Sequence, residues 1–367
     1  MKGFPKGSIL TERATANFGH LALKYGYVTI EQVKRALQIQ KGRKQKGKPP
    51  GKLGEILVAL GYLSREQVVE IVKQQAAKGG RFLIENYEII EQIGRGAMGA
   101  VYKARQVSLN RTVALKILPP KLASDKNYIV RFLREAKLAA KLNHENIIYV
   151  IDVGESQGVY YYAMEYIQGR TVKEMVESDG AFSERQTVEV ALQVCSALDH
   201  AYSYGIVHRD IKPANIMVTD EGVVKLCDFG LARRVDIEGA GDGGTIAGTP
   251  FYIAPEQIRN ERLDSRADIY ALGATLYYMT TGRPPFVSKS VVVVMTKHLA
   301  ERPAPPRQRG AHISRYLDAI ILKCLQKRPQ ERFQTPSEMA GLLGKLLKKG
   351  PRISSRSASR RMSRRKL

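Results

Sequence analysis

His208-Arg209-Asp210-Ile211-Lys212-Pro213-Ala214-Asn215, with Asp228-Phe229-Gly230 downstream, is the stretch on which the reading of this chain turns. Taken singly, an aspartate or a lysine is most often a solvated surface charge. These two strings do not stand alone. Upstream, Gly94-Arg95-Gly96-Ala97-Met98-Gly99 is a GxGxxG string. A dinucleotide-binding reading needs a helix opening within such a string. Here Ala100-Val101-Tyr102-Lys103-Ala104 follows, a strand pattern, so the string reads as a hairpin whose bare backbone can lie over phosphates. Val113-Ala114-Leu115-Lys116 comes next and places an ammonium beneath that turn. Glu135, on the helical pattern that follows, is the carboxylate expected to hold it. Downstream, Ala254-Pro255-Glu256 closes a series of motifs whose order is hard to obtain by chance.

The surrounding periodicity agrees. Alternating, β-branched stretches at Tyr87–Ile93, Ala100–Ala104 and Thr112–Leu118 predict a small antiparallel sheet. A helix is expected over Tyr128–Leu142, with strands at Ile147–Val153 and Val159–Tyr166. After Thr171 the pattern is mostly helical. The expected fold is α+β: a small β-rich lobe, then a large α-helical lobe.

With all five motifs in place, residues 82–345 resemble the Hanks-type protein kinases, and among them the bacterial serine/threonine members. The resemblance implies a bilobal kinase fold and transfer of the ATP γ-phosphate to protein Ser or Thr hydroxyls, with Mg2+. It makes Asp210 the acceptor of the substrate hydroxyl proton, and Lys212 the group that stabilises the transferring phosphoryl. Lys116, paired with Glu135, would hold the α- and β-phosphates, and Asn215 and Asp228 the magnesium ions. It assigns Ile93, Gly94, Gly96, Gly99, Val101, Ala114, Met164, Glu165 and Ile167 to the nucleotide, with Met164 as gatekeeper and backbone groups of Glu165 and Ile167 on adenine. Asp268 would anchor the catalytic loop and Arg332 pair with Glu256. Thr245, four residues before Thr249, corresponds to a regulatory phosphosite whose phosphate would meet Arg209. Lys212 and Gly248-Thr249-Pro250 are the serine/threonine pattern. A nucleotide-binding pseudokinase scaffold is the competing class, and the complete catalytic set argues against it.

Charge divides the 367 residues unevenly. Residues 1–80 carry 15 Lys/Arg against 5 Asp/Glu, and residues 345–367 carry 10 with no acid, so most of the net +24 sits in the flanks. Contact of these flanks with nucleic acid or an anionic surface is compatible with that charge, but no interleaved aromatics or reading motif supports it. The tail 346–367 has too little apolar content for a core and is expected to be disordered. Cys195, Cys227 and Cys324 are too few and scattered for a disulfide framework. With no signal-peptide pattern and no apolar run near the ~20 residues that span a bilayer, a cytoplasmic protein is expected.

Behind an N-terminal arm (1–16), the module 17–78 contains an internal repeat, 17–40 against 52–75. Each half has a short apolar helix pattern, Gly-Tyr, then Thr29 or Ser64 as N-cap with Glu31 or Glu66 in the first turn. The joining KGRKQKGKPPG reads as an exposed loop. The halves resemble the tandem motifs at the N-terminus of type II secretion and type IV pilus assembly ATPases, which can bind cyclic di-GMP. Lys52-Leu53-Gly54, Gly61, Leu63, Val68, Val72 and Gln75 match; the first half, from Asn17-Phe18-Gly19, matches less well. Neither half has the leading arginine. The expectation is therefore a docking or self-associating module rather than a cyclic dinucleotide sensor.

Overall fold

The computed structural model describes residues 18–45, 51–77, 83–96, 99–123, 125–156, 158–229 and 250–349. The arm 1–16, Gly230, Thr245 and Gly248-Thr249 lie outside the described residues. The chain divides into two compact units, residues 1–141 with 148–167, and residues 142–147 with 168–367.

The first unit opens with the repeat. Helix α1 (residues 18–24) turns through Gly26 into α2 (Ile30–Gln45), and α3 (Leu53–Ala59) turns through Gly61 into α4 (Arg65–Ala77). Gly26 and Gly61 both sit at φ near +70°, where a side chain would be strained. Thr29 and Gln32 form a reciprocal capping box, as do Ser64 and Gln67, so the glutamine three residues on closes each helix start, and Glu66 adds a hydrogen bond to Ser64 as well as its charge. Phe18, Leu21, Ala36, Leu57 and Ile71 interlock in a core of the module's own. Helix α2 continues to Gln45, into the segment expected to be a loop, because the Lys, Arg and Gln there are good helix formers.

Next comes an antiparallel sheet of β1 (Leu83–Ile84), β2 (Tyr87–Gly96), β3 (Gly99–Gln106), β4 (Arg111–Ile117), β5 (Val150–Ser156) and β6 (Val159–Glu165). Its order is β1-β2-β3-β4-β6-β5. The sheet curls until β2 meets β5: Tyr87 Oη donates to Asp152 at 3.0 Å, and the Tyr87 and Tyr161 rings lie 5.5 Å apart. Strand β5 starts three residues later than its sequence pattern, since Ile147 instead bridges Leu226. Helices α5 (Pro120–Ala123) and α6 (Lys126–Ala139, capped by Asp125) follow β4. The repeat touches this sheet through Lys52, whose Nζ lies 3.3 Å from both Glu85 Oε2 and Ser156 Oγ.

The second unit is mostly helical. It comprises α7 (Val172–Asp179), α8 (Glu184–Ser203), α9 (Pro255–Ile258), α10 (Ser265–Thr281), α11 (Val291–Ala300), α12 (Arg315–Cys324) and α13 (Pro336–Lys349). A small sheet, ordered β7 (Gly169–Thr171), β8 (Ile216–Thr219), β9 (Val224–Leu226), accompanies them. Helix α10 is apolar nearly all round and forms the axis, with Ile269, Leu272, Ala274 and Leu276 fully buried. A Cβ on Gly273 would run into Cys324, so glycine here permits the close approach of α12. Helix α13 reaches Lys349, four residues into the expected tail, because Leu346 and Leu347 continue the apolar face of Leu343. Among the described residues no helix is long and apolar enough to cross a membrane.

Candidate active site

In the first unit the candidate groups sit on regular elements. Gly96 pairs with Gly99 across β2 and β3, so the glycine string is a hairpin, as its flanking pattern predicts. Gly99 lies at φ +152°, and a Cβ there would strike the Ile117 carbonyl. Ile93, Gly94 and Val101 lie on the same hairpin, and Ala114 opposes Met164 between β4 and β6. Met164 is buried at the end of β6, beside Glu165, whose amide donates to the Tyr149 carbonyl while its Oε1 accepts from the Tyr149 amide. Ile167 is also buried, just beyond the strand.

Lys116 on β4 reaches Glu135 on α6, Nζ to Oε1, at 3.2 Å. Both are almost fully buried, where an unpartnered charge would cost several kcal/mol and a close opposite charge offsets that cost. Tyr162 was not legible as part of the site. From β6 its hydroxyl donates to the same carboxylate oxygen at 3.2 Å, and its ring lies beneath the Lys116 ammonium, 5.4 Å from centroid to Nζ. Register explains this: Lys116 opposes Tyr162 in the β4–β6 ladder.

In the second unit the groups sit on irregular backbone. Arg209 and Asp228 occupy the left-handed region, at φ +68° and +56°, which residues other than glycine adopt only when surroundings enforce it. For Arg209 the enforcing group is Asp268 on α10, whose carboxylate accepts the His208 and Arg209 amides at 2.7 and 2.8 Å. Burial pushes this carboxyl up to about 7, while the two N–H donors favour its ionised form. His208, fully buried, donates from Nε2 to the Cys227 carbonyl at 3.0 Å and accepts the Asp210 amide at Nδ1 at 3.2 Å. Burial lowers its pKa to about 4, so the imidazole stays neutral, as that donor–acceptor pattern requires. The Phe229 ring packs on it, 4.5 Å away.

Held this way, Asp210 collects the other candidates. Lys212 Nζ lies 2.6 Å from Asp210 Oδ2. Asn215 Nδ2 donates to the same oxygen at 3.0 Å and to the Asp210 carbonyl at 2.8 Å. The Cys227 amide donates to the Asn215 carbonyl, which brings Asp228 beside Asn215. Gln257 on α9 donates to the Arg209 carbonyl at 3.0 Å, a tether no sequence signal announces. Arg332 and Glu256 form the expected pair, bidentate at 2.6 and 2.8 Å and buried. Arg209 Nε is buried without a hydrogen-bond partner among the described residues.

Residues 87–341 match the protein kinase domain. The chain belongs to the protein kinase family. It is 43% identical over 263 residues to the serine/threonine-protein kinase PknB of Mycolicibacterium smegmatis, covering 70% of this chain and 42% of that protein. It is 40% identical over 281 residues to a probable serine/threonine-protein kinase of Clostridium perfringens, covering 76% and 41%. The chain thus spans about two fifths of the length of these bacterial relatives. The crystal structure of the Mycobacterium tuberculosis PknI kinase domain aligns with a TM-score of 0.57 at 29% identity, covering 72% of this chain and 96% of that one. The small sheet with α6, followed by a helical unit, is therefore the kinase fold.

Proposed function

We propose that this kinase-family chain transfers the γ-phosphate of ATP to Ser and Thr hydroxyls of protein substrates. The observation that carries the reading is Asp210, anchored through Asp268 and His208 with Lys212 and Asn215 on its carboxylate. Asp210 accepts the hydroxyl proton while that oxygen bonds to the γ-phosphorus. The bond to the β–γ bridging oxygen breaks and ADP leaves. Lys212 supplies positive charge for the transferring phosphoryl group. Lys116, kept in place by Glu135, binds the α- and β-phosphates, with the glycine hairpin and the Met164–Ile167 segment on the rest of the nucleotide. Asn215 and Asp228 suit a hard divalent cation: Asn215 Nδ2 is spent on Asp210, which leaves its oxygen as the donor beside the Asp228 carboxylate. Magnesium, when bound, would draw negative charge off the phosphate oxygens.

Two further readings rest on the same grounds. Phosphorylated Thr245 would supply the anion for the orphaned Arg209 Nε and switch the kinase on. The repeat module would act by docking or self-association in the cytoplasm rather than by sensing cyclic di-GMP. Lys52, at the position of a ligand-binding arginine, is already engaged by Glu85 and Ser156. Calorimetry of the full chain with cyclic di-GMP should give no saturable isotherm at micromolar concentration; one that saturates overturns that reading.

The main test is phosphate transfer from labelled ATP to casein with magnesium. Phosphoserine and phosphothreonine should form, and Asp210→Asn should lower kcat by about 10²–10⁴-fold with ATP affinity retained. Unchanged turnover in that variant removes Asp210 from its role.

A further inference from the structure

His298 on α11 is fully buried, yet it belongs to neither cluster described above. Its Nε2 donates to the Phe251 carbonyl at 3.1 Å, and its Nδ1 lies 2.8 Å from the Tyr270 hydroxyl on α10. The direction of each proton follows from what surrounds it. Lys327 Nζ donates to the Tyr270 oxygen at 3.4 Å and to the His298 carbonyl at 2.9 Å. Tyr270, receiving at its oxygen, gives its own proton to Nδ1 and leaves Nε2–H for Phe251. The imidazole is wedged edge-on against Phe286, with centroids 4.9 Å apart and planes at 82°. Burial and the nearby Lys327 ammonium keep it neutral.

What His298 holds is not core. Residues 250–253 are half-buried and lead into α9. Among the described residues, the His298 bond is the one that ties the backbone of 250–253 to the helices. At the far end of the same stretch, Gln257 grips the carbonyl of Arg209, next to Asp210. A protein whose hydroxyl reaches Asp210 extends along the chain on both sides of that hydroxyl. The backbone of 250–253 runs into α9, whose Gln257 is bonded to the Arg209 carbonyl, so this stretch leads to the loop that carries Asp210.

We propose that His298 is a positioning residue for the protein substrate: through the Phe251 carbonyl it fixes the backbone of 250–253, and so sets how tightly the acceptor chain is held. It takes no part in phosphoryl transfer and does not touch the nucleotide. The proposal rests on the kinase reading, and the effect is confined to the acceptor. Steady-state kinetics on the full chain with casein and ATP test it. His298→Phe keeps the ring but removes both hydrogen bonds; it should raise KM for casein about five- to tenfold, the worth of one buried hydrogen bond, while kcat and KM for ATP stay within about twofold. His298→Gln retains a donor for Phe251 and should recover most of the loss. Tyr270→Phe, which removes only the hydroxyl that orients the imidazole, should shift KM for casein in the same direction, and it stands in if His298→Phe folds poorly. Unchanged KM for casein in both variants overturns the proposal. So does a parallel rise in KM for ATP, or a glutamine variant no better than phenylalanine. A wild-type chain that transfers no phosphate overturns the kinase reading along with it.

Discussion

Lys116 and Asp210 are held in place by contrasting means. Lys116 sits near the end of a strand, paired across the ladder with Tyr162, and needs one carboxylate from the neighbouring helix. Asp210 sits on backbone that no regular element supports, one residue after a left-handed Arg209. There, two buried side chains, Asp268 from distant sequence and His208 from two residues upstream, satisfy amides that a strand or helix would have paired internally. A functional group on a strand inherits its position from the ladder. One on a loop must be given it by polar residues that are otherwise costly to bury.

That difference orders the expected effects of substitution. Asp268→Ala orphans two buried amides, so it should lower both stability, by about 2–5 kcal/mol, and activity, in denaturant melts and casein assays respectively. Near-normal activity in this variant would show that the loop holds its own shape. Lys116→Met is expected to depress kcat/KM for ATP by about 10²–10³-fold through lost phosphate positioning. The stability comparison uses Lys116→Met combined with Glu135→Gln, which leaves no buried charge unpaired; its cost should be smaller than that of Asp268→Ala, because the ladder remains. If the two stability costs are equal, the contrast between strand and loop fails.

Acid sharpens the comparison within the second unit. The folded pKa of His298 is lowered from 6.5 to about 3 by burial, so its contribution to stability is present above pH 6.5 and is lost as pH falls toward that folded value. The groups facing it are Tyr270 and Lys327, and Glu301 at the end of α11 acts on Lys327. His208 acts in the same sense, whereas the raised Asp268 acts in the opposite one. The informative quantity is therefore a difference. Between pH 7 and pH 5 wild type should lose roughly 2 kcal/mol more than His298→Gln, measured by denaturant unfolding. Identical pH slopes would mean that the imidazole is not buried in its neutral form.

The smallest effect belongs to the contact between the repeat and the sheet. Lys52 and Glu85 are a partly exposed pair, with side chains 33% and 75% accessible. Such pairs contribute about 0–1 kcal/mol, so Lys52→Ala should leave unfolding of the sheet unchanged within that range. A larger loss would make this contact a structural joint.

From the sequence alone came the order of motifs, and with it the family, the β-rich then α-rich layout and the residues proposed for the candidate site. Those follow from local rules: alternation, helical spacing, glycine where no side chain fits, and carboxylates and ammonium ions at set positions in the chain. Local rules also mark both repeat helices, although the glutamines Gln32 and Gln67 add a second, reciprocal bond to the caps formed by Thr29 and Ser64. Tertiary structure decided the rest. Tyr162 joins Lys116 through strand register, Gln257 meets the Arg209 carbonyl from a helix 48 positions away, and His298 meets Phe251 across 47. None of these has a signature, because a buried tyrosine, glutamine or histidine looks the same in the chain whether it caps, tethers or fills space. Its role is set by which orphaned donor or acceptor the packed fold brings within hydrogen-bond reach.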